Sequence, residues 1–363
     1  MSDRQGLTGK KLPALMIAFL GLLVVGSCHG TSSSQTLESV PAVHHYYAAI
    51  DMGSSGAKLL VQEAKPDGSL VTVKDVRLST KLGEGVANGS AIPSGNIQRT
   101  KLAIQSLTNN AHDDYGVDPS TIALIATAVT RNASNGRAFM DTLNHELGLT
   151  RGRILSGDDE ARYGYLGTIA GFRRLGSSDD RYATLDLGGG SFQLAVGTRD
   201  AFELGGSTQI GSNQIVDLWL PGGILTEAQF SAADAGLFKK APMPLAVDKL
   251  RGRKLVGTGS ISKFLAAYFG TSTLKLDAID RLRKQLGSMA LEDRKKVLKG
   301  DRPQVVLEAL GLGSEADAND YAIKSPASIT LLLHIMRSLG VSEMQVSETD
   351  ARYALISEIA AKP

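Results

Sequence analysis

Two stretches of this chain share one hydrophobic–polar rhythm. Tyr46–Ile50 is a short apolar run, Asp51-Met52-Gly53-Ser54-Ser55-Gly56 follows, and Ala57–Val61 is apolar again. The same order returns in Tyr182–Leu185, Asp186-Leu187-Gly188-Gly189-Gly190-Ser191 and Phe192–Val196. Each copy reads as strand, glycine turn, strand. A second strand rather than a helix after each turn argues against a Rossmann or Walker loop. The two aspartates lie 135 residues apart, about one lobe. Between the copies, Thr121–Ala126 reads as a buried strand, which puts Arg131 on the loop after it. Residues 136–147 read as a helix with Phe139, Leu143 and Leu147 on one face, Asn135 as N-cap and Gly148 as stop. Another helix begins near Gly157, with Ala161, Tyr165 and Ile169 at helical spacing and Ser156 and Asp159 as its capping pair.

The N-terminus has a different pattern. Arg4, Lys10 and Lys11 precede an uncharged run from Leu12 to Ser27, the form of an export signal. The run ends in Val25-Gly26-Ser27-Cys28, which resembles the lipobox of bacterial lipoproteins, in which the cysteine is acylated. Residues 1–28 are therefore expected to be a lipoprotein signal peptide, with Cys28 as a membrane anchor. An uncleaved signal-anchor helix is the alternative. Residues 29–45, serine-rich and polar, read as a tether. The globular part is expected outside the cytoplasmic membrane on either reading, exported and lipid-anchored to the cell envelope on the first.

Composition narrows the picture further. At 363 residues, 42% hydrophobic and 21% charged, the chain suits about two globular domains. A net charge of +2 gives no electrostatic case for nucleic acid as a partner. Cys28 is the single cysteine, so disulfides within the chain and thiolate metal clusters are excluded, and the six histidines show no ligand spacing. Forty glycines against eleven prolines point to tight turns. Arg281–Arg302, with eight basic and three acidic residues, is either a face for a polyanion or a solvated helix face.

The two turns carry the chemistry. Glycines let successive backbone N–H groups converge into an anion nest, and Ser54, Ser55 and Ser191 add hydroxyl donors. Asp51 and Asp186, at the ends of their strands, are placed to hold Mg²⁺ or a water facing a phosphate. Two such hairpins would grip a phosphate chain from both sides.

IDMGSSGAKLL and LDLGGGSFQLAVG resemble the two phosphate loops of the actin, sugar-kinase and heat-shock ATPase superfamily. Within it the chain is most similar to the Ppx/GppA exopolyphosphatases and guanosine pentaphosphate phosphohydrolases. KLGEG (81–85), ATAVTRNASN (126–135), SGDDEARYGYLG (156–167), LGGSTQIG (204–211), LVGTGSIS (255–262) and LHIMRSLGVSEMQVS (333–347) stand in that family's order. The resemblance implies an α/β fold of two actin-like, ribonuclease H-like lobes around a phosphate-binding cleft. Lobe I would span 46–170, lobe II 180–345, and 346–363 a C-terminal helix. It implies release of terminal phosphate from polyphosphate or a polyphosphorylated nucleotide, and it leaves a homodimer open. Glu160 stands where the family has the glutamate that activates water, and Arg131 where it has a phosphate-binding arginine. Gly53, Ser54, Ser55, Gly188, Gly189, Gly190 and Ser191 would bind phosphate, Asp51 and Asp186 would position Mg²⁺, and Gly257-Thr258-Gly259-Ser260 would be a third loop.

The chain departs from the pattern in Gly53-Ser54-Ser55, where Gly-Ser-Asn is usual, and in SETDAR (347–352), where a glycine-containing motif is usual. Gly311–Tyr321 reads as an acidic insertion. Two rival readings stay open. One is an apyrase-like nucleoside di/triphosphatase, whose first loop is similar. The other is a lipoprotein that binds polyphosphate or nucleotide without turnover.

Overall fold

In a computed structural model, the residues described are 44–87, 89–172, 180–299 and 315–361. The signal-like segment, Cys28 and nearly all of the tether lie outside them. Among the described residues no helix is long and apolar enough to cross a membrane.

The repeat in the sequence becomes a repeat in topology. β1 (His45–Met52), β2 (Gly56–Ala64) and β3 (Leu70–Ser79) form an antiparallel meander, and β4 (Ala123–Ala126) adds parallel to β1. β6 (Arg181–Leu187), β7 (Phe192–Thr198) and β8 (Phe202–Thr208) form a second meander, and β9 (Lys254–Thr258) adds parallel to β6. β5 (Arg153–Ile154) completes the first sheet in the order β3-β2-β1-β4-β5. β10 (Thr273–Lys275) and β11 (Glu343–Val346) complete the second as β10-β11-β9-β6-β7-β8. The expected α/β fold of two duplicated lobes is present.

Strand alternation decides which face each helix covers. Ala48, Ile50 and Met52 of β1 share one face of the first sheet with Leu59 and Val61 of β2. Two helices cover that face, α1 (Ser94–Tyr115) through Ile104, Leu107 and Ala111, and α3 (Gly136–Leu147) through Phe139, Met140 and Leu143. Ala49 and Leu60 point the other way, into a cluster with Leu355 and Ile356. Both faces are buried, which is why these strands read as unbroken apolar runs. α3 has the expected bounds and ends on Gly148 in the left-handed conformation. Asn135 precedes it without capping it: its side chain instead accepts from Ile92 N and donates to Ile92 O.

Two sequence expectations change. Arg131 lies not on a loop but in a short helix, α2 (Ala128–Asn132). The C-terminal segment is not helical from 346: Val346 ends β11, Asp350 accepts from Arg352 N, and the helix there begins at Ala351 and runs to Ala360. Of the acidic segment Gly311–Tyr321, residues 311–314 lie outside the described residues, and Glu315–Tyr321 is helical and opens a helix that runs through Leu339.

The remaining helices are α4 (Gly157–Ala170), α5 (Ser212–Leu218), α6 (Glu227–Lys240), α7 (Val247–Leu250), α8 (Gly259–Phe269), α9 (Leu276–Gly287), α10 (Leu291–Lys299), α11 (Glu315–Leu339) and α12 (Ala351–Ala360). The basic stretch of α9 and α10 is only partly a solvated face. Arg294 is fully buried and donates to the carbonyls of Leu286, Ala322, Gly223 and Met289, while buried Arg283 pairs with Asp234 and Asp280.

Candidate active site

The two glycine turns meet face to face. A Cβ on Gly189 would lie 2.6 Å from Ser55 Oγ, and one on Gly190 would lie 2.6 Å from Ser54 Oγ. With the serine side chains as they stand, glycine at these positions lets the loops approach this closely. Each loop is held from behind. The amides of Thr80 and Lys81 donate to Ser55 O, and Gly83 N donates to Ser54 O, so the KLGEG segment fixes the first loop. Ser212 N and Asn213 N, in the first turn of α5, donate to Gly188 O and Gly189 O and fix the second.

The loops border a cleft, open to solvent, lined by Asp51, Gly53, Ser54, Ser55, Glu160, Asp186, Gly188, Gly189, Gly190 and Ser191. Gly259 and Ser260, at the strand-to-helix turn from β9 into α8, line it too. Gly259 has φ +85°, and a Cβ there would sit 2.9 Å from Asp186 Oδ1. Of the expected site residues that are described, Gly257, Thr258 and Arg131 are absent from this lining. Arg131 stands behind Glu160 instead.

Glu160 occupies the first turn of α4, whose N-cap, Ser156, accepts from Asp159 N at 3.0 Å. Ser156 caps the helix as expected, and the Asp159 carboxylate accepts from Ser156 Oγ at 2.7 Å rather than from its backbone N–H. Arg131 Nη1 donates to Glu160 Oε2 at 3.0 Å and to Leu155 O at 2.9 Å. Burial raises the Glu160 carboxyl to about 7; Arg131 opposes the rise, and Asp186 and Asp51 add to it.

Burial likewise raises Asp186 to about 6, and Lys58 opposes that rise while Asp350 and Asp51 reinforce it. Asp51 is raised for the same leading reason. Lys58 Nζ stands 3.9 Å from Asp51 Oδ2. Among the described residues no group of three or more histidine, cysteine, aspartate or glutamate side chains is assembled for a metal. Two buried carboxylates that repel one another fit a Mg²⁺-like cation nonetheless, because such an ion keeps most of its waters and takes one or two carboxylates plus substrate phosphate.

Several residues of the site were not singled out in the sequence. Lys58 and Arg77 line the cleft from β2 and β3, and Asp320, Tyr321 and Lys324 line it from α11. A hydrogen-bond chain also joins the second loop to Arg131. Gln193 Nε2 donates to Ser191 Oγ (2.9 Å) and Ser207 Oγ (3.1 Å), and Gln209 Nε2 donates to Ser207 Oγ (3.1 Å). Gln209 Oε1 accepts from Asn132 Nδ2 (2.8 Å) and Arg131 Nη2 (3.4 Å). The signal available was spacing: Ser191 and Gln193, like Ser207 and Gln209, are two residues apart and so share a side.

Asp350, in the variant SETDAR segment, is part of a buried ion network. Arg352 binds both Asp350 oxygens (2.9 and 2.7 Å) and both Asp75 oxygens (2.6 and 3.2 Å), tying α12 to β3. Burial would raise the Asp350 carboxyl, but Arg352 and Lys58 override it and hold it well below the usual range.

Two mixed sheets of matching topology, with glycine hairpins apposed across a cleft, define a two-lobed actin-like protein. An exopolyphosphatase from Cytophaga hutchinsonii superposes with a TM-score of 0.71 at 18% identity, over 87% of this chain and 98% of that one. A Ppx/GppA family member from Aquifex aeolicus gives 0.67 at 20% identity, over 87% and 98%. The Ppx/GppA phosphatase family matches residues 61–305, and the chain belongs to that family. A guanosine-5'-triphosphate,3'-diphosphate pyrophosphatase of Aliivibrio fischeri is 25% identical over 326 residues, which are 86% of this chain and 60% of that protein. A bifunctional 3-dehydroquinate synthase/phosphatase of Fusobacterium nucleatum is 29% identical over 175 residues, 47% of this chain and 26% of that protein. The chain thus spans 60% or less of the length of these curated relatives.

Proposed function

We propose that the protein hydrolyses the terminal phosphoanhydride of inorganic polyphosphate or of a polyphosphorylated nucleotide. The observation that carries this reading is Glu160, a carboxyl raised to about 7, beside two apposed glycine loops and held by Arg131. A base with an ionisation near neutral pH suits proton transfer from water.

The residues divide the work as follows. Backbone amides of 54–55 and 189–191, with the Ser54, Ser55 and Ser191 hydroxyls, bind phosphoryl oxygens, while the amides of Gly53 and Gly188 close the turns by donating to Gly56 O and Ser191 O. Arg131 orients Glu160 from behind through Nη1. Among the described residues Glu160 Oε1 has no hydrogen-bond partner, and it takes the proton from the attacking water. The water oxygen bonds to the terminal phosphorus as the bridging P–O bond breaks. A Mg²⁺ ion held by Asp51 and Asp186 would neutralise the phosphoryl charge, which together with positioning makes up most of catalysis in phosphoryl transfer. No protein nucleophile is required.

Phosphate release from long polyphosphate, a nucleoside triphosphate and guanosine pentaphosphate, by the parent protein and by Glu160→Gln, tests the reading. Activity on one of them that depends on Glu160 supports it. Activity on the nucleoside triphosphate alone would favour an apyrase-like enzyme.

We also propose that Cys28 is acylated and that the enzyme works outside the cytoplasmic membrane. The support is the Val25-Gly26-Ser27-Cys28 sequence after a basic region and an uncharged run. Labelled palmitate should enter the parent chain and not Cys28→Ala; equal labelling of both would refute the anchor.

A further inference from the structure

The register of the first sheet sets three charged residues in one row. Lys58 pairs with Asp51 across β1 and β2, and with Arg77 across β2 and β3. Strands lie about 4.8 Å apart, so the Arg77 backbone is about 10 Å from that of Asp51. It lies on the side away from β4, while Arg131, in the helix after β4, lies on the other side. The facing wall is one stripe of α11: Asp320, Lys324 and Ser328 border the cleft at spacings of four residues, with Tyr321 beside Asp320. β3, α8 and α11 converge at this end. Arg77 Nη1 donates to Ser260 Oγ at 3.0 Å, and the Tyr321 hydroxyl donates to Ser260 O at 3.4 Å. Gly56 leaves room for the guanidinium, since a Cβ there would lie 2.9 Å from Arg77 Nε. Lys324 Nζ is 2.8 Å from Asp320 Oδ2 on the same stripe.

We propose that Arg77 and Lys324 form a second phosphate subsite, at the β3–α11 end of the cleft, for phosphoryl groups behind the one attacked beside Glu160. This rests on reading the cleft as a phosphoanhydride site and gives that site a direction. The terminal phosphoryl lies between the glycine loops at the Glu160 end. The rest of the ligand crosses the strands of the first sheet past Lys58 toward Arg77. A guanidinium takes two phosphate oxygens in parallel, which a single ammonium does not. Ser260 Oγ accepts from Arg77 in the structure described here and keeps the guanidinium aimed into the cleft. The ligand class is a linear triphosphate or longer, one that occupies the Glu160 end and the Arg77 end together.

The experiment compares inorganic tripolyphosphate with pyrophosphate on the full chain at fixed Mg²⁺, by calorimetry in a Glu160→Gln background and by steady-state kinetics. Adding Arg77→Gln should raise KM and Kd for tripolyphosphate about tenfold, the loss of one good charge-assisted contact, and leave the pyrophosphate values unchanged. Lys324→Gln should shift tripolyphosphate in the same direction, and Arg77→Lys should recover part of the loss. Thermal melts check that each variant is folded, and Lys324→Gln carries the test if Arg77→Gln is not. Equal affinity for tripolyphosphate with and without these substitutions overturns the subsite, and so does an equal loss for both ligands. If the parent neither binds nor hydrolyses either compound, the functional reading falls first and the subsite with it.

Discussion

Arg131 Nη1 and Glu160 Oε2 are 3.0 Å apart, and the same nitrogen also donates to Leu155 O. The arginine comes from a helix after β4 and the glutamate from the first turn of α4, so the pair is assembled by the fold and not by sequence proximity. Its consequence is orientational: one carboxylate oxygen is fixed and the other is aimed by it. Arg131→Lys keeps the charge but loses the shared geometry. It should lower kcat about a hundredfold, a penalty typical of removing a preorganised donor, with a smaller change in KM. Initial-rate kinetics check this.

The pH dependence follows from the direction of the Glu160 shift. Catalysis by the ionised form should rise with pH through about 7, and a cation at Asp51 and Asp186 should move the midpoint lower. A rate profile at two Mg²⁺ concentrations measures both.

Stability should run the opposite way. Folding raises the Glu160 carboxyl from 4.5 to about 7, so the folded state favours the protonated form. That contribution is fully present below 4.5 and is lost as the pH rises through 7. In chelator, Glu160→Gln should therefore be the more stable protein at pH 8, by on the order of 2 kcal/mol, and the gain should vanish at pH 4. Calorimetric melts at the two values check the sign.

The apposed loops make a geometric prediction. Gly190→Ala places a methyl 2.6 Å from Ser54 Oγ, with the Ser54 Cβ at 3.6 Å. The substitution should destabilise by about 1–3 kcal/mol through overpacking, and Ser54→Ala in the same chain should relieve most of it. A double-mutant cycle in denaturant reads this coupling.

Arg352 carries the join between α12 and β3. Arg352→Met leaves Asp350 buried without its partner and should cost about 3–5 kcal/mol. Asp75→Asn, whose side chain is partly exposed, should cost less than half of that. The two midpoints in urea give the ranking.

Much of this was legible in the sequence, for physical reasons that differ by residue. Asp51 and Asp186 could be placed because each ends an apolar run and opens a glycine turn, and the turn occurs twice. Glu160 could be placed through the likeness of SGDDEAR (156–162) to the family's motif; the serine cap fixes the start of its helix but does not single it out from Asp158 and Asp159. Arg131 was assigned to a loop because a five-residue helix is too short to show a hydrophobic period. Lys58 and Arg77 were invisible because cross-strand register exists only once the sheet is formed. The helical character of Glu315–Tyr321 was hidden by its charges, because the buried side of that helix is set by distant partners. Arg294 looked like solvent-facing charge, and the carbonyls that bury it come from four separate positions, Gly223, Leu286, Met289 and Ala322.

The central claim is that Glu160 activates water against a terminal phosphoanhydride. The most direct measurement is phosphate release from tripolyphosphate and long polyphosphate at saturating Mg²⁺, parent against Glu160→Gln, with both proteins shown to be folded by their melts. The account predicts measurable turnover by the parent and a loss of about a thousandfold in kcat for the variant, within the range set by removing a general base. A folded parent that releases no phosphate from any phosphoanhydride, or a variant as fast as the parent, would contradict it.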